Sequence, residues 1–166
     1  MNALWTYFWP VFAVALAIGA IAGTVAFRRP RRRTVALGCG LLAAIAAAAL
    51  WHGPLGAADQ FSARIERGAR QALDYYEMTK VTAKLQREPL SRRLILSGPA
   101  DDFQHSELVR VLAQLPGVSS VNWSDKRAAV PLIGESALLA IVGFLLGLVL
   151  AYLVELHRRY NAQWKW

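Results

Sequence analysis

Three runs of this 166-residue chain contain no charged side chain and are too long and too uniformly apolar to form the core of a small globular protein: residues 4–27, 34–51 and 136–154. A helix rises about 1.5 Å per residue, against a hydrocarbon core of about 30 Å. The twenty-four residues of the first run exceed that thickness. The eighteen of the second approach it with Arg33 and His52 at its flanks, and the nineteen of the third nearly match it. Three transmembrane helices are expected, the third being the most hydrophobic. The six residues between the first two leave room only for a tight helical hairpin. Pro10 sits near the start of the first helix, in its first turn or at a kink, under the cluster Trp5, Tyr7, Phe8 and Trp9. That cluster reads as an aromatic belt at a membrane interface.

Charge orients these helices. The first run has no positive side chain before it, while Arg28, Arg29, Arg31, Arg32 and Arg33 follow it directly; this is the reverse of a cleaved signal peptide, so the run is read as a retained span. By the positive-inside rule residues 28–33 form a cytoplasmic loop. After three spans the tail must lie on the same side, and it carries Arg158 and Arg159. The N-terminus and residues 52–130 then face outward, into the periplasm of a bacterium. Tyr160, Trp164 and Trp166 fall at or near the cytoplasmic interface. The expected layout is 1–27 first span, 28–33 loop, 34–51 second span, 52–130 outward domain, 131–156 third span and 157–166 tail.

A net charge of +8 in a soluble protein points first to nucleic acid. Here five of the nineteen basic residues lie in the 28–33 loop, and residues 52–130 carry eleven basic against nine acidic side chains. The charge therefore reports orientation, and no nucleic-acid partner is expected. The single cysteine, Cys39, lies inside an apolar run with no disulfide partner and is read as a small buried hydrophobe.

Between the second and third spans the periodicity changes twice. Residues 59–76 place Phe61, Ile65, Ala69, Ala72, Leu73 and Tyr76 at a 3.6-residue period, which predicts an amphipathic helix with Glu66 and Arg70 paired on its outer side. From Met78 the period is two, with Val81, Ala83 and Leu85 inward. A turn through Glu88, Pro89 and Leu90 leads to a second strand at 92–97, stopped by Gly98-Pro99. Asp101 or Asp102 caps a helix running to about Leu115, with Phe103, Leu108, Val111, Leu112 and Leu115 inward. Pro116-Gly117 breaks it before a third strand at 118–123. The fold class is thus a three-span α-helical membrane protein with a small α+β domain of order αββαβ, a three-stranded sheet with two helices on one face.

The strand that ends in Gly98, followed by a helix and by Pro116, Gly117, Val118 and Val121, resembles the BON domain, named for bacterial OsmY and nodulation proteins. The resemblance covers about residues 59–123. BON domains usually join their first two strands through a glycine, where this chain has residues 88–91. The resemblance implies a non-catalytic periplasmic or envelope module that contacts phospholipid or other envelope material. The layout is also similar to the membrane-anchored front part of some OmpA-family envelope proteins, without their peptidoglycan-binding domain.

Neither an enzyme nor a cofactor or metal site is expected. His52, His105 and His157 are far apart and lack ligand spacing, with each other or with Cys39. Ser97 and Ser106 near His105 are ordinary composition, and Asp101 and Asp102 suit a helix cap better than a general acid and base. Glu135 and Glu155 flank the third span and read as interfacial groups, Glu155 beside Arg158 and Arg159, without the deep polar groups that a transporter wants. Small residues recur every fourth position in each span: Ala15, Gly19, Gly23; Gly40, Ala44, Ala48; Gly143, Gly147, Ala151. Such stripes let helix backbones approach closely. Arg64, Arg67 and Arg70, with Arg92 and Arg93, are candidates for a basic surface facing anionic headgroups or a partner. Two functions follow: an envelope protein whose outward domain binds phospholipid, cell-wall material or another envelope protein, or an accessory subunit that stabilises a larger membrane complex through its small-residue helix faces.

Overall fold

A computed structural model of the chain describes residues 2–123 and 129–163. In order these residues form α1 (Ala3–Arg28), a 3-10 turn (Pro30–Arg32), α2 (Arg33–His52), α3 (Ala57–Tyr75), β1 (Thr82–Arg87), β2 (Leu90–Ser97), α4 (Asp102–Leu112), β3 (Ser120–Asn122) and α5 (Leu132–Gln163). They divide into two compact units, one of Met1–Tyr7 with Gly56–Glu135 and one of Phe8–Leu55 with Ser136–Trp166. The folded domain thus takes in the start of the chain and the residues up to Glu135, beyond the expected 52–130.

α1, α2 and α5 are each long and apolar enough to cross a membrane. Within the helical unit Val11, Ala15, Ala22, Ala44, Ala48, Ala140 and Phe144 form a buried cluster. The small residues decide how close the backbones come. A Cβ on Gly19 would lie 2.2 Å from the Phe144 carbonyl oxygen, and one on Gly147 would lie 2.2 Å from that of Leu16. α1 and α5 therefore touch backbone to backbone, which only glycine permits at these positions. α2 joins through side chains instead: a Cβ on Gly40 would meet the Ala22 methyl at 2.6 Å and the Phe144 ring at 3.0 Å. Gly40, Ala44 and Ala48 are the residues that α2 buries. Cys39, one position round the helix from that narrow stripe, is exposed rather than buried. α5 does not stop near residue 156. It continues to Gln163, because no glycine or proline intervenes and i, i+4 pairs hold the extra turns: Glu155 with Arg159 at 3.3 Å and His157 with Asn161 at 2.9 Å. The expectations for Trp164 and Trp166 lie outside the described residues.

In the mixed unit, β2 is the central strand, antiparallel to β1 and parallel to β3. The right order αββαβ follows, with α4 as the crossover between the parallel strands. Val81, Leu85, Leu94, Leu96 and Val121 are buried, as are Phe61, Ile65, Ala69 and Leu73 of α3 and Leu108 and Leu112 of α4. β1 and β2 are joined by Glu88 and a cis Pro89 with no glycine.

Four local expectations change. Tyr76 is 47% exposed, because α3 ends at Tyr75 in a left-handed turn. There Glu77 takes φ +58, its N–H donating to the Asp74 carbonyl and that of Met78 to the Leu73 carbonyl, so the chain leaves the helix before Tyr76 can complete the inward stripe. Phe103 is 74% exposed; it lies about 140° round α4 from Leu108, off the stripe that Leu108 and Leu112 bury. α4 itself ends at Leu112 rather than Leu115, the Leu115 N–H donating to the Leu112 carbonyl in a tighter turn. The helix starts as expected from a cap: the Asp101 carboxylate accepts from the Gln104 N–H at 2.7 Å, and the Gln104 side chain accepts from the Asp101 N–H at 3.1 Å. Finally, Glu66 does not pair with Arg70. It accepts from the Leu85 N–H of edge strand β1 at 3.1 Å and bonds Arg87 at 3.3 Å, while Arg70 pairs with Asp74 at 2.8 Å.

Two glycines fix the turns that border the sheet. Gly98 has φ +137, and a Cβ there would stand 2.5 Å from the Lys80 carbonyl oxygen. Gly117 has φ +109, with the Ile65 side chain 2.8 Å from where a Cβ would be. Both the backbone conformation and the close approach exclude a larger residue at Gly98.

Candidate binding surfaces

The five arginines expected to form a basic face fall into two groups. Arg64 donates to the Thr6 hydroxyl, Arg67 to the Ala63 carbonyl at 3.1 Å, and Arg70 to the Val81 carbonyl at 3.3 Å besides its ion pair. These three are on exposed turns of α3. Arg92 turns inward: its Nε donates to the Gly117 carbonyl at 3.1 Å and its terminal nitrogen pairs with Glu135 at 3.1 Å, both side chains about a quarter exposed. Arg93 is only 7% exposed. Both residues lie on the central strand β2, with their side chains on opposite faces of the sheet, whereas the sequence alone places them on an exposed hairpin. Glu135, expected to be an interfacial group, holds Arg92 and so joins the residues entering α5 to β2. Ser91 adds a backbone bridge to Pro131. The 43-residue separation of Arg92 and Glu135 leaves no spacing signal in the sequence.

Tyr7, expected in an aromatic belt, is 2% exposed, its ring centroid 5.3 Å from that of Phe61 on α3. Trp5 and Trp9 are more than half exposed.

A different surface is open. The end of α3, the turn after it and one side of α4 enclose a groove of about 260 Å³ lined by Tyr76, Met78, Phe103, Leu108 and Val111 together with Gln104, Glu107 and Arg110. Tyr75 is 81% exposed, and its ring meets that of Tyr76 edge to face at 5.2 Å. Glu107 lies 2.6 Å from Arg110 and raises the guanidinium pKa further through hydrogen bonding and charge. The two charges in the lining thus offset one another, which leaves the groove nearly neutral. This groove was hidden in the sequence because Tyr76 and Phe103 pass as core positions when each helix is drawn a residue or more too regular.

The polar groups weighed for catalysis have structural contacts. The His105 ring stacks on Trp123 at 4.0 Å, and the Trp123 indole N–H donates to the His105 carbonyl. The Ser106 hydroxyl donates to the Phe103 carbonyl, and Ser97 and Thr82 hydroxyls share a hydrogen bond. Among the described residues no group of three or more His, Cys, Asp or Glu side chains is arranged to hold a metal ion.

In the helical unit Glu155 lies 3.3 Å from Arg159 and 3.8 Å from Arg158, the two partners expected from local spacing. Arg28, from the end of α1, adds a third contact at 3.6 Å. Gly19, Gly23, Gly143 and Gly147 are all buried within this unit.

No protein-family model, curated protein or solved structure matches this chain.

Proposed function

We propose that the chain is a non-enzymatic protein of a bacterial inner membrane. In this reading α1, α2 and α5 span the bilayer, the arginine-rich turn and the end of α5 face the cytoplasm, and the BON-like α+β domain stands in the periplasm as a binding module. Its occupant is another envelope protein rather than phospholipid or cell-wall material. The observation that carries this choice is the division of labour among side chains. Arg92 and Arg93 are drawn into the domain, while Tyr75, Tyr76 and Phe103 remain open beside a nearly neutral apolar groove. Exposed aromatics around an apolar centre are the composition of a protein interface; an anionic lipid surface calls for uncompensated cations instead. The resemblance to BON domains supports an envelope role; the phospholipid contact it also implies gives way to a protein partner on the strength of the open aromatic groove.

The alternative, an accessory subunit that offers its small-residue stripes to a larger complex, has less support. Those nine residues are buried within the helical unit, so none remains to receive a foreign helix.

The test is a photo-crosslinking amino acid at Phe103 in the full-length protein in living cells, with Lys84 as the control position. Adducts with one protein from position 103 and not from 84 support the reading. Adducts with lipid alone, or equal labelling from both positions, overturn it.

A further inference from the structure

We infer that the arginine-rich end of the helical unit is a binding site for the headgroup of an anionic glycerophospholipid. The inference rests on the reading above that α1, α2 and α5 cross a membrane, and it concerns the end of the bundle, not the α+β domain.

The sequence of this unit contains one acidic side chain, Glu155, against the five arginines of residues 28–33 together with Arg158 and Arg159. The fold gathers these charges in one place. The 3-10 turn closes the α1–α2 connection in so few residues that its arginines stay at the end of α1, none of them buried. The Arg28–Glu155 contact ties that turn to the last third of α5, where Arg158 and Arg159 project one turn further on. Glu155 is shared among three guanidinium groups and cannot neutralise more than one unit of charge. Its side chain is 17% exposed, while those of Arg158 and Arg159 are 63% and 67% exposed. A net charge of +6 among the described residues of this unit therefore meets solvent at the end of three apolar helices, where Glu155 is the one side-chain carboxylate among them.

That position selects the ligand. The helices below the cluster are apolar on their outer faces, with Ile21, Val25, Leu153 and Val154 exposed close to the same end. A ligand that satisfies both surfaces has a phosphodiester at the level of the arginines and acyl chains beside the helices. Guanidinium groups pair with phosphate through two parallel N–H donors, which favours arginine over lysine at such a site. Free phosphate satisfies the first surface and leaves the second bare.

The experiment uses the full-length protein purified in a neutral detergent and native mass spectrometry with added phosphatidylglycerol, phosphatidylcholine or inorganic phosphate. The expected result is retention of phosphatidylglycerol in preference to phosphatidylcholine, weakened by salt and not displaced by millimolar phosphate. Arg31→Gln with Arg32→Gln is expected to weaken retention by roughly 5-fold per arginine. Glu155→Gln, which releases three guanidinium groups, is expected to keep or raise it. Equal retention of the two lipids overturns the inference, as does loss of retention in Glu155→Gln matching that of the arginine variant. A chain that partitions into the aqueous fraction when cells are broken defeats the membrane reading instead, so the two failures are distinguishable.

Discussion

Replacing Gly147 by alanine adds one methyl group, yet that methyl has nowhere to go. Its carbon would lie 2.2 Å from the Leu16 carbonyl oxygen, 2.6 Å from the Ala20 nitrogen and 2.9 Å from the Gly19 carbonyl carbon, all of them backbone atoms that no rotamer change can move. To restore ordinary contact α1 and α5 must part by roughly 1 Å locally, and a gap of that size forfeits a quarter to a half of the dispersion energy of each facing pair. Overpacking of this kind costs about 1–3 kcal/mol, and the rigidity of the obstructing atoms puts Gly147→Ala at the upper end. Gly19→Ala meets the Phe144 carbonyl oxygen at the same 2.2 Å and is expected to cost as much. Because the two glycines face one another, separating the helices for one makes room for the other, so the double variant is expected to cost less than the sum. Gly38→Ala is the control: nothing lies within 4 Å of its Cβ, and alanine favours a helix by about 1 kcal/mol over glycine. Thermal unfolding of the three single variants and the double variant in one detergent reads the comparison. If Gly147→Ala unfolds at the temperature of Gly38→Ala, the close approach of α1 and α5 is wrong.

Further outcomes follow for the mixed unit. Arg92→Gln is expected to lower stability by about 1–3 kcal/mol, since it leaves the largely covered Glu135 without its cation and the Gly117 carbonyl without its donor; chemical denaturation followed by tryptophan fluorescence reads the loss. Gly98→Ala is expected to cost roughly 2–4 kcal/mol, combining a left-handed backbone with a clash against the Lys80 carbonyl. Glu77→Gly is expected to stabilise the domain by up to about 1 kcal/mol, because it removes the strain of a side chain at φ +58; a fall in the unfolding midpoint contradicts that account of how α3 ends.

Periodicity carries the parts of this fold that depend on near neighbours. The first two uncharged runs, the switch from a helical to a two-residue period after Met78, the Asp101 cap and the breaks at Gly98 and Gly117 each express a local rule and fall near an element boundary in the structure, while the third run locates α5 but not its end at Gln163. The small-residue stripes were equally legible, because a four-residue repeat of Gly and Ala has one main use between apolar helices.

What escaped depends on the ends of elements and on distant partners. Tyr76 and Phe103 sit at the end of one helix and the start of another, where a shift of one residue turns a core position outward. Arg92 reads as a hairpin cation until β2 is known to be central, and its partner Glu135 is in another element altogether. Tyr7 has its aromatic neighbour Phe61 more than fifty residues away. Cys39 was misplaced because α2 buries a stripe narrower than its uniformly apolar sequence implies. The candidate site moved for the same reasons: Arg92 and Arg93, which look exposed in sequence, are drawn into the fold, and Tyr76 and Phe103, which look buried, are left over.

The central claim is that the α+β domain and the arginine-rich turn lie on opposite faces of a membrane. The direct measurement places single cysteines, in a Cys39→Ala background, at Lys84 in β1 and at Ala162 near the end of α5, both exposed, and treats intact spheroplasts with a membrane-impermeant maleimide. Labelling at position 84 from outside, with position 162 reacting only after the membrane is opened, is the predicted result. The reverse pattern, or equal labelling of both before the membrane is opened, contradicts it.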